Sequence, residues 1–179
     1  MSNTESLKHL PLETLHEDAG ARFGAFAGWR MPLTYPAGVM KEHIHTRESA
    51  GLFDISHMQL FEVEGTDAAA FLSRACPLDA TALREGQSKY TVLLNENAGI
   101  IDDLIVTRLG ENRYMIVANA GNAAKDEAHF RAIAADFDIS FTALERVLLA
   151  LQGPDAEAIL IAAGLDLSDL VFMTGTEPH

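Results

Sequence analysis

The sequence predicts an α+β protein in which mixed sheets, containing antiparallel hairpins, pack against helices. Segments with helical periodicity alternate with strand-like runs along the 179 residues, which is typical of domains that contain both kinds of element. The clearest hairpin signal is a pair of strand-like runs, residues 89–94 and 100–109, joined by a short segment rich in Asn and Gly. Apolar residues make up 48% of the chain, which is enough for a substantial core.

The first two predicted helices have recognisable boundaries. Residues 11–27 begin with a proline, which is favoured in the first turn of a helix, and their apolar spacing weakens at Gly20. Residues 39–50 have helical spacing and are followed by Gly51, a common type just past a helix C-terminus. The segment between these helices, residues 28–32, contains Gly and Pro and is predicted to be a loop.

Three further helices are predicted from the residues at their ends. Thr66 is a plausible N-cap for a helix in the segment 66–75, and Asn122 is one for an amphipathic helix over 123–137. Residues 153–164 read as a turn and a helix, with a proline near the helix start and a glycine just past its end.

Strands are predicted where apolar residues follow a strand-like pattern. They cover residues 52–56, 59–64, 89–94, 100–109, 114–118, 139–143 and 147–151. Residues 170–179 also begin as a strand. Because no partner for that strand follows, we expect the domain to continue in a longer parent chain; the alternative is that this tail is a disordered terminus.

Charge and composition exclude several classes of partner. The chain has 13 Lys and Arg against 26 Asp and Glu, a formal net charge of −13, and a surface this acidic repels nucleic acids and anionic membranes. No apolar stretch approaches the roughly 18 residues that a membrane span requires, and no secretory signal is visible. A single cysteine, Cys76, excludes an internal disulfide. The sequence therefore predicts a cytoplasmic protein.

The adjacent acids Asp102 and Asp103 lie inside a strand-like apolar run, so their side chains point to opposite faces. One interpretation is a strand end, at which one acid is exposed and the other caps a turn or pairs with Arg108 or Lys89. The other is a carboxylate aimed into a pocket, where burial and neighbours tune it to accept a proton or balance a cation. Tyr90, on the partner strand of the predicted hairpin, is positioned to supply a hydroxyl group or a ring to the same pocket.

Histidine and cysteine residues give weaker signals. His43 and His45 are separated by about 200° on a helix and no third ligand is evident, so no metal site is predicted. His57 is either a candidate base or a histidine satisfied by the backbone. Cys76, which has no partner thiol, is predicted to be buried and inert.

Five segments carry a resemblance that is specific when they are taken together. They are FAGWRMPLTY (26–35), HTRESAGLFDISHM (45–58), KYTVLLNENAGIIDDLIVT (89–107), MIVANAGNAAKD (115–126) and LLALQGP (148–154). In order and spacing across residues 11–175 they resemble the N-terminal half of the glycine-cleavage T-protein, the aminomethyltransferase of the folate-binding T-protein family.

The resemblance implies an activity, a cofactor and a partner. T-proteins transfer the one-carbon unit of an aminomethyl group from the lipoyl arm of H-protein to tetrahydrofolate and release ammonia. The resemblance implies that Asp103 is the catalytic carboxylate beside the folate, and that Met58 and Tyr90 are further folate contacts. Asn119 is predicted as another contact because it ends a predicted strand that faces the same region. A fixed anion in a water-poor site stabilises the positive charge of carbon transfer, and it can accept or position a folate proton.

The resemblance also implies an incomplete domain organisation, because T-proteins are about twice as long and their first domain is discontinuous. We expect residues 1–53 plus 139–179 to form an incomplete first domain, and residues 54–138 to form the second. Other functions stay open: a related folate-dependent demethylase, the folate domain of an amine dehydrogenase, or a truncated folate-binding fragment without catalysis.

Overall fold

The computed structural model describes residues 7–176, and these residues mix helices with sheets, which confirms the predicted α+β class. They divide into two compact units. The first contains the residues up to His57 together with Val147–Leu167, and the second contains Met58–Arg146 together with the residues from Ser168 onward. None of the helices within residues 7–176 combines the length and the apolar character needed to cross a bilayer.

The described residues form ten strands and five helices. The strands are β1 (Lys8–His9), β2 (Arg22–Phe26), β3 (Trp29–Thr34), β4 (Gly51–Asp54), β5 (Gln59–Glu64), β6 (Ser88–Leu94), β7 (Ile100–Gly110), β8 (Arg113–Ala118), β9 (Ser140–Leu144) and β10 (Leu149–Gln152). The helices are α1 (Glu13–Asp18), α2 (Val39–Glu48), α3 (Ala68–Ala75), α4 (Ala123–Ala134) and α5 (Ala156–Ala162). A short 3-10 turn, Ala80–Ala82, lies between α3 and β6.

The first unit contains two small sheets. In one of them β3 lies between β1, its parallel partner, and β2, its antiparallel partner. In the other, β4 and β10 pair antiparallel, with Leu149 opposite Asp54 and Gln152 opposite Gly51. This second sheet joins parts of the chain that are far apart in sequence, which is why residues 147–167 belong to the first unit.

The prediction of one helix over residues 11–27 is wrong in its second half. α1 ends at Asp18, and Gly20 follows with a φ of 74°, a left-handed conformation that stops a helix. β2 and β3 then form a hairpin whose turn residues, Ala27 and Gly28, both have positive φ, 49° and 82°. A two-residue turn of this kind matches the twist of paired strands, so the predicted helix end and loop form a sheet instead.

The second unit is built on a five-stranded sheet with the order β6-β7-β8-β5-β9, in which every neighbouring pair is antiparallel. The predicted hairpin is confirmed as β6 and β7. β9 pairs with β5, with Phe141 opposite Val63, so it belongs to this unit and not to the first domain, in which residues 139–143 are expected from the resemblance. The division into 1–53 plus 139–179 and 54–138 otherwise stays a prediction, and its residues 1–6 and 177–179 lie outside the described residues.

α3 and α4 cover one face of this sheet, which we call the helix face. Four α3 residues at helical spacing are buried: Ala68, Phe71, Leu72 and Ala75. The rings of Phe61 and Phe141 stack on the sheet with centroids 5.0 Å apart, and the α3 ring of Phe71 packs 5.9 Å from that of Phe130 on α4. This aromatic cluster joins both helices to the sheet.

The opposite side of the five-stranded sheet, which we call the outer face, carries Tyr90 and Asp103. At one end of this face the residues after Ser168 return to the sheet: Thr174 forms an isolated antiparallel bridge with Gln87, and Gly175 lies against Thr107. At the other end Tyr90 and Asp103 are exposed.

Two further predictions differ from the structure. The strand expected from residue 170 is reduced to the isolated Thr174 bridge within the described residues, because residues 172–173 form a turn. Thr66 is not the N-cap of α3, because that helix begins at Ala68 and Asp67 occupies the cap position. The hydroxyl group of Thr66 instead donates a hydrogen bond to Asp138 (3.2 Å).

We expect Phe71→Ala to destabilise the protein by about 3–5 kcal/mol, because Phe71 is fully buried and its removal leaves a cavity among the packed rings. The matched control is Phe172→Ala, since the Phe172 side chain is 93% exposed; its effect should stay within about 0.5 kcal/mol. Urea unfolding followed by circular dichroism measures both values. Equal midpoints for the two variants would contradict the assignment of the core.

Candidate functional site

Strand alternation on β7 separates the two adjacent acids. Asp102 faces the helix face and is only 6% exposed, whereas Asp103 faces the outer face and is exposed. In the hairpin, Leu93 pairs with Asp102 and Val92 pairs with Asp103. The two carboxylates therefore occupy different environments although they are neighbours in the chain.

Asp102 is held by amide groups from two elements. Its Oδ1 atom accepts hydrogen bonds from Nδ2 of Asn119 (3.1 Å) and from Nδ2 of Asn122 (2.7 Å). Burial acts to raise the pKa of Asp102, but the neighbouring Asp126 carboxyl group and the amides of Asn119 and Asn122 outweigh it and hold the pKa below its ordinary value. Arg108, one of the predicted partners of an acid, instead donates to backbone carbonyl groups.

Asp103 is fixed on the outer face by two side chains. The hydroxyl group of Tyr90 donates to Oδ2 of Asp103 (3.1 Å), and Nδ2 of Asn119 lies 3.2 Å from Oδ1 and 3.0 Å from the backbone oxygen of Asp103. The hydrogen bond to Asp103 is the main cause that raises the pKa of Tyr90 above its ordinary value. The structure thus brings together three of the four predicted site residues.

The fourth predicted residue, Met58, lies at the same end of the sheet. Met58 directly precedes β5, whose first residue, Gln59, pairs with Ala118, the residue before Asn119. Met58 is half-buried. It therefore lies at the end of the strand next to the one that leads into Asn119.

Asn122 and Asp126 are members of the network that the sequence did not reveal. Asn122 occupies the N-cap position of α4 as predicted, but its side chain forms no capping hydrogen bond and donates to Asp102 instead. Asp126 is fully buried one turn later, and Phe130, another turn on, belongs to the core. The signal available in the sequence was this spacing of four, which places an acid on the apolar face of an amphipathic helix.

A separate hydrogen-bond network lies in the first unit. Nε2 of His16 lies 2.9 Å from Oδ2 of Asp54, and its Nδ1 lies 2.8 Å from the hydroxyl group of Tyr35. His57 packs edge-on against Phe26, and its buried Nδ1 has no hydrogen-bond partner among the described residues, so the interpretation of a backbone-satisfied ring fails at that atom. Burial lowers the pKa of His57, although Asp54 opposes the shift.

Cys76 is buried as predicted, and burial raises the pKa of its thiol to about 12. Within residues 7–176, no group of three or more His, Cys, Asp or Glu side chains is arranged to hold a metal ion. On the outer face, the Asp103 carboxylate is exposed, and its hydrogen bonds to Tyr90 and Asn119 give it a defined orientation. Such a group can bind a cationic or N–H-bearing ligand and can accept a proton.

We expect Asn119→Asp to destabilise the protein by about 1–3 kcal/mol or more at pH 7, because it removes donors from both acids and adds a third carboxylate beside them. Repulsion raises the pKa of the new carboxyl group above its unfolded value. The loss is therefore smallest near pH 4 and grows as the pH rises through that raised pKa.

The control for Asn119→Asp is Asn112→Asp, at an exposed position before β8. Urea unfolding of both variants between pH 4 and pH 8 provides the comparison. An Asn119→Asp variant whose stability matches that of Asn112→Asp at pH 8 would show that the two acids do not depend on the amide.

Comparison with known proteins bears out the resemblance. Residues 12–178 match the profile of the GCVT N-terminal domain. The mitochondrial aminomethyltransferase of Dictyostelium discoideum is 42% identical over 183 residues, which cover 97% of this chain and 45% of that protein. An aminomethyltransferase of Thermus thermophilus is 46% identical over 156 residues, which cover 86% of this chain and 44% of that protein.

A solved structure gives the same result for the fold. The crystal structure of the glycine cleavage system aminomethyltransferase T from Bartonella henselae aligns with a TM-score of 0.95 at 64% identity, and the match covers 97% of this chain and 48% of that one. The chain spans about half the length of the relatives it matches. It belongs to the glycine-cleavage T-protein family, of which it contains the GCVT N-terminal domain.

Proposed function

We propose that this chain supplies the folate-facing carboxylate of an aminomethyltransferase of the glycine cleavage system. The reaction transfers the one-carbon unit of an aminomethyl group from the lipoyl arm of H-protein to tetrahydrofolate and releases ammonia. The observation that carries the proposal is the exposed Asp103 carboxylate, held by Tyr90 and Asn119 in a chain of the T-protein family. On this proposal the cofactor is tetrahydrofolate and the partner is lipoylated H-protein.

Asp103 has the chemistry that a reduced folate requires. Tetrahydrofolate supplies the nitrogen that accepts the one-carbon unit. The Asp103 carboxylate can bind the N–H groups of the folate, accept the proton that is lost, and stabilise the positive charge that develops during transfer. Tyr90 and Asn119 keep its two oxygen atoms in a defined orientation, so little reorganisation is needed when that charge develops.

The rest of the outer face supports a flat, partly apolar ligand. Ile105 and Val117 are partners in the β7–β8 pair on this face and are half-buried. Farther along it, a cavity of about 380 Å³ is lined by residues that include Thr107 and Met115. Sites for small molecules combine apolar walls with a few polar groups that fix orientation. We propose Met58 as an apolar wall and the Tyr90 ring as a further contact for the folate.

Two other functions belong to the same proposal as alternatives that assays can distinguish. A related folate enzyme would act on methylated amines or sulfonium compounds, and a non-catalytic fragment would bind folate without turnover. Family membership favours aminomethyl transfer, since the relatives named above are aminomethyltransferases. We also propose a cytoplasmic location, for which the single buried cysteine is the support.

We expect the chain to bind 5-formyltetrahydrofolate, a stable reduced folate, and Asp103→Asn to weaken that binding at least tenfold, about 1.4 kcal/mol, because the variant loses the anionic acceptor. Isothermal titration calorimetry measures both dissociation constants. The matched control is Asp136→Asn, an exposed acid just after α4, which should bind like wild type. Equal affinities for wild type and Asp103→Asn would contradict the role of Asp103 in binding.

Turnover is tested in a longer chain that joins these 179 residues to the remaining part of the Bartonella henselae relative. With lipoylated H-protein and tetrahydrofolate we expect ammonia release, and we expect Asp103→Asn to lose most of kcat while folding normally. Wild-type turnover by the folded variant would contradict the catalytic role. Turnover with methylated amines but not with aminomethylated H-protein would support the demethylase alternative.

A further inference from the structure

Asp126, an acid of α4, is fully buried beneath the helix face of the five-stranded sheet, and neither of its carboxyl oxygens has a hydrogen-bond donor among the described residues. The Oδ2 atom of Asp102 also has no hydrogen-bond donor among the described residues, because Asn119 and Asn122 both donate to Oδ1. Asn122, which donates to Asp102 (2.7 Å), lies one helical turn before Asp126, whose backbone N–H donates to the Asn122 carbonyl group (2.9 Å). The two buried carboxyl groups with unmatched oxygens therefore lie close together where α4 begins beside β7.

A proton held between the two carboxyl groups would supply the hydrogen bond that their oxygens lack. Two adjacent carboxylates cannot both ionise when they are removed from water, because desolvation and mutual repulsion both disfavour the second charge. Burial is the main cause that raises the pKa of Asp126 to about 7, the adjacent Asp102 carboxylate adds to the shift, and Lys125 opposes it. The amide donors on Asp102 make it the ionised member of the pair.

We propose that Asp126 is a positioning residue, which carries a proton and donates it to Oδ2 of Asp102, and that this bond fixes the Asn119 amide and through it the Asp103 carboxylate. The effect on Asp103 in catalysis rests on the function proposed above, whereas the shared proton does not. Asn119 is the link, since its single Nδ2 group contacts oxygens of both acids.

The arrangement gives the candidate site a defined response to pH. The charged groups that act on the Asp126 carboxyl group are Asp102 on β7 and Lys125 on α4. When Asp126 loses its proton, Asp102 loses a donor and gains a repelling neighbour. We expect the Asn119 side chain to shift in the same pH range.

The first experiment is a carbon NMR titration of the 179-residue chain, labelled with 13C at the aspartate carboxyl groups, from pH 4 to pH 9. We expect one resonance with a midpoint near pH 7, absent from Asp126→Asn and retained in the control Asp136→Asn. If the resonance that disappears in Asp126→Asn titrates below pH 5 in wild type, the shared proton does not exist and the proposal is overturned.

The second measurement follows the side-chain amide of Asn119 by 1H–15N NMR in the same samples. We expect its resonances to move with the Asp126 midpoint in wild type. Asp126→Ala, which lacks a donor, should shift them at every pH, and Asp126→Asn, whose amide can replace the proton, should restore the low-pH position and remove the pH dependence. Asn119 resonances that ignore both variants would overturn the positioning role.

Stability supplies a readout that does not require the amide assignment. The folded pKa of Asp126 is raised above the unfolded value, so wild type loses stability as the pH rises from about 4 to about 7. Over that range the unfolding equilibrium constant of wild type should rise up to about tenfold per pH unit relative to that of Asp126→Asn. A constant ratio would contradict the assigned proton.

The two levels of the proposal fail in different ways. A titration near pH 7 together with coupled Asn119 shifts, in a chain that binds no 5-formyltetrahydrofolate, would support the positioning network and contradict the folate function proposed for this chain. Folate binding that weakens in Asp103→Asn, with no titration near pH 7, would leave the folate site standing and overturn the role of Asp126.

Discussion

A carboxylate that is buried on a strand must find hydrogen-bond donors, and in this protein that requirement organises the end of the five-stranded sheet. Desolvation of Asp102 is offset by Asn119, which directly follows β8, and by Asn122, at the start of α4. Both amides lie where the chain changes direction from strand to helix. The start of α4 is thereby tied to β7, the strand that carries Asp103 on its outer side.

Two neighbouring acids acquire different properties because strand geometry gives them different surroundings. Asp102 is buried, and its hydrogen-bond donors hold its pKa below the ordinary value. Asp103 is exposed on the outer face, where its oxygens accept hydrogen bonds from the Tyr90 hydroxyl group and the Asn119 amide. Asp102 is therefore committed to contacts within the fold, whereas Asp103 is the acid exposed on the outer face.

The sequence was most informative where backbone periodicity decides the structure. The strand β5 follows from alternation, because side chains on a half-buried strand need no distant partner to show the pattern. The β6–β7 hairpin follows from two strand-like runs joined by a segment rich in Asn and Gly. The prediction of a helix in the second half of residues 11–27 is wrong because Ala27 and Gly28 adopt positive φ and permit a tight hairpin. Asp103 and Tyr90 were predicted as site residues from the resemblance, and Asn119 from its place at the end of a strand. Asp126 was missed, since its partner lies on β7 and only tertiary packing brings the two carboxyl groups together.

All four predicted site residues belong to the second unit, between Met58 and Asn119. Their relative placement depends on strand pairing within one sheet: Asp103 is held in register by Val92, and Met58 and Asn119 follow from the pairing of Gln59 with Ala118. Backbone ladders position side chains more rigidly than loops do, because each residue is fixed by its neighbours on both strands. The orientation of the Asp103 carboxylate is therefore a property of this unit alone, set by its own strand pairing and hydrogen bonds.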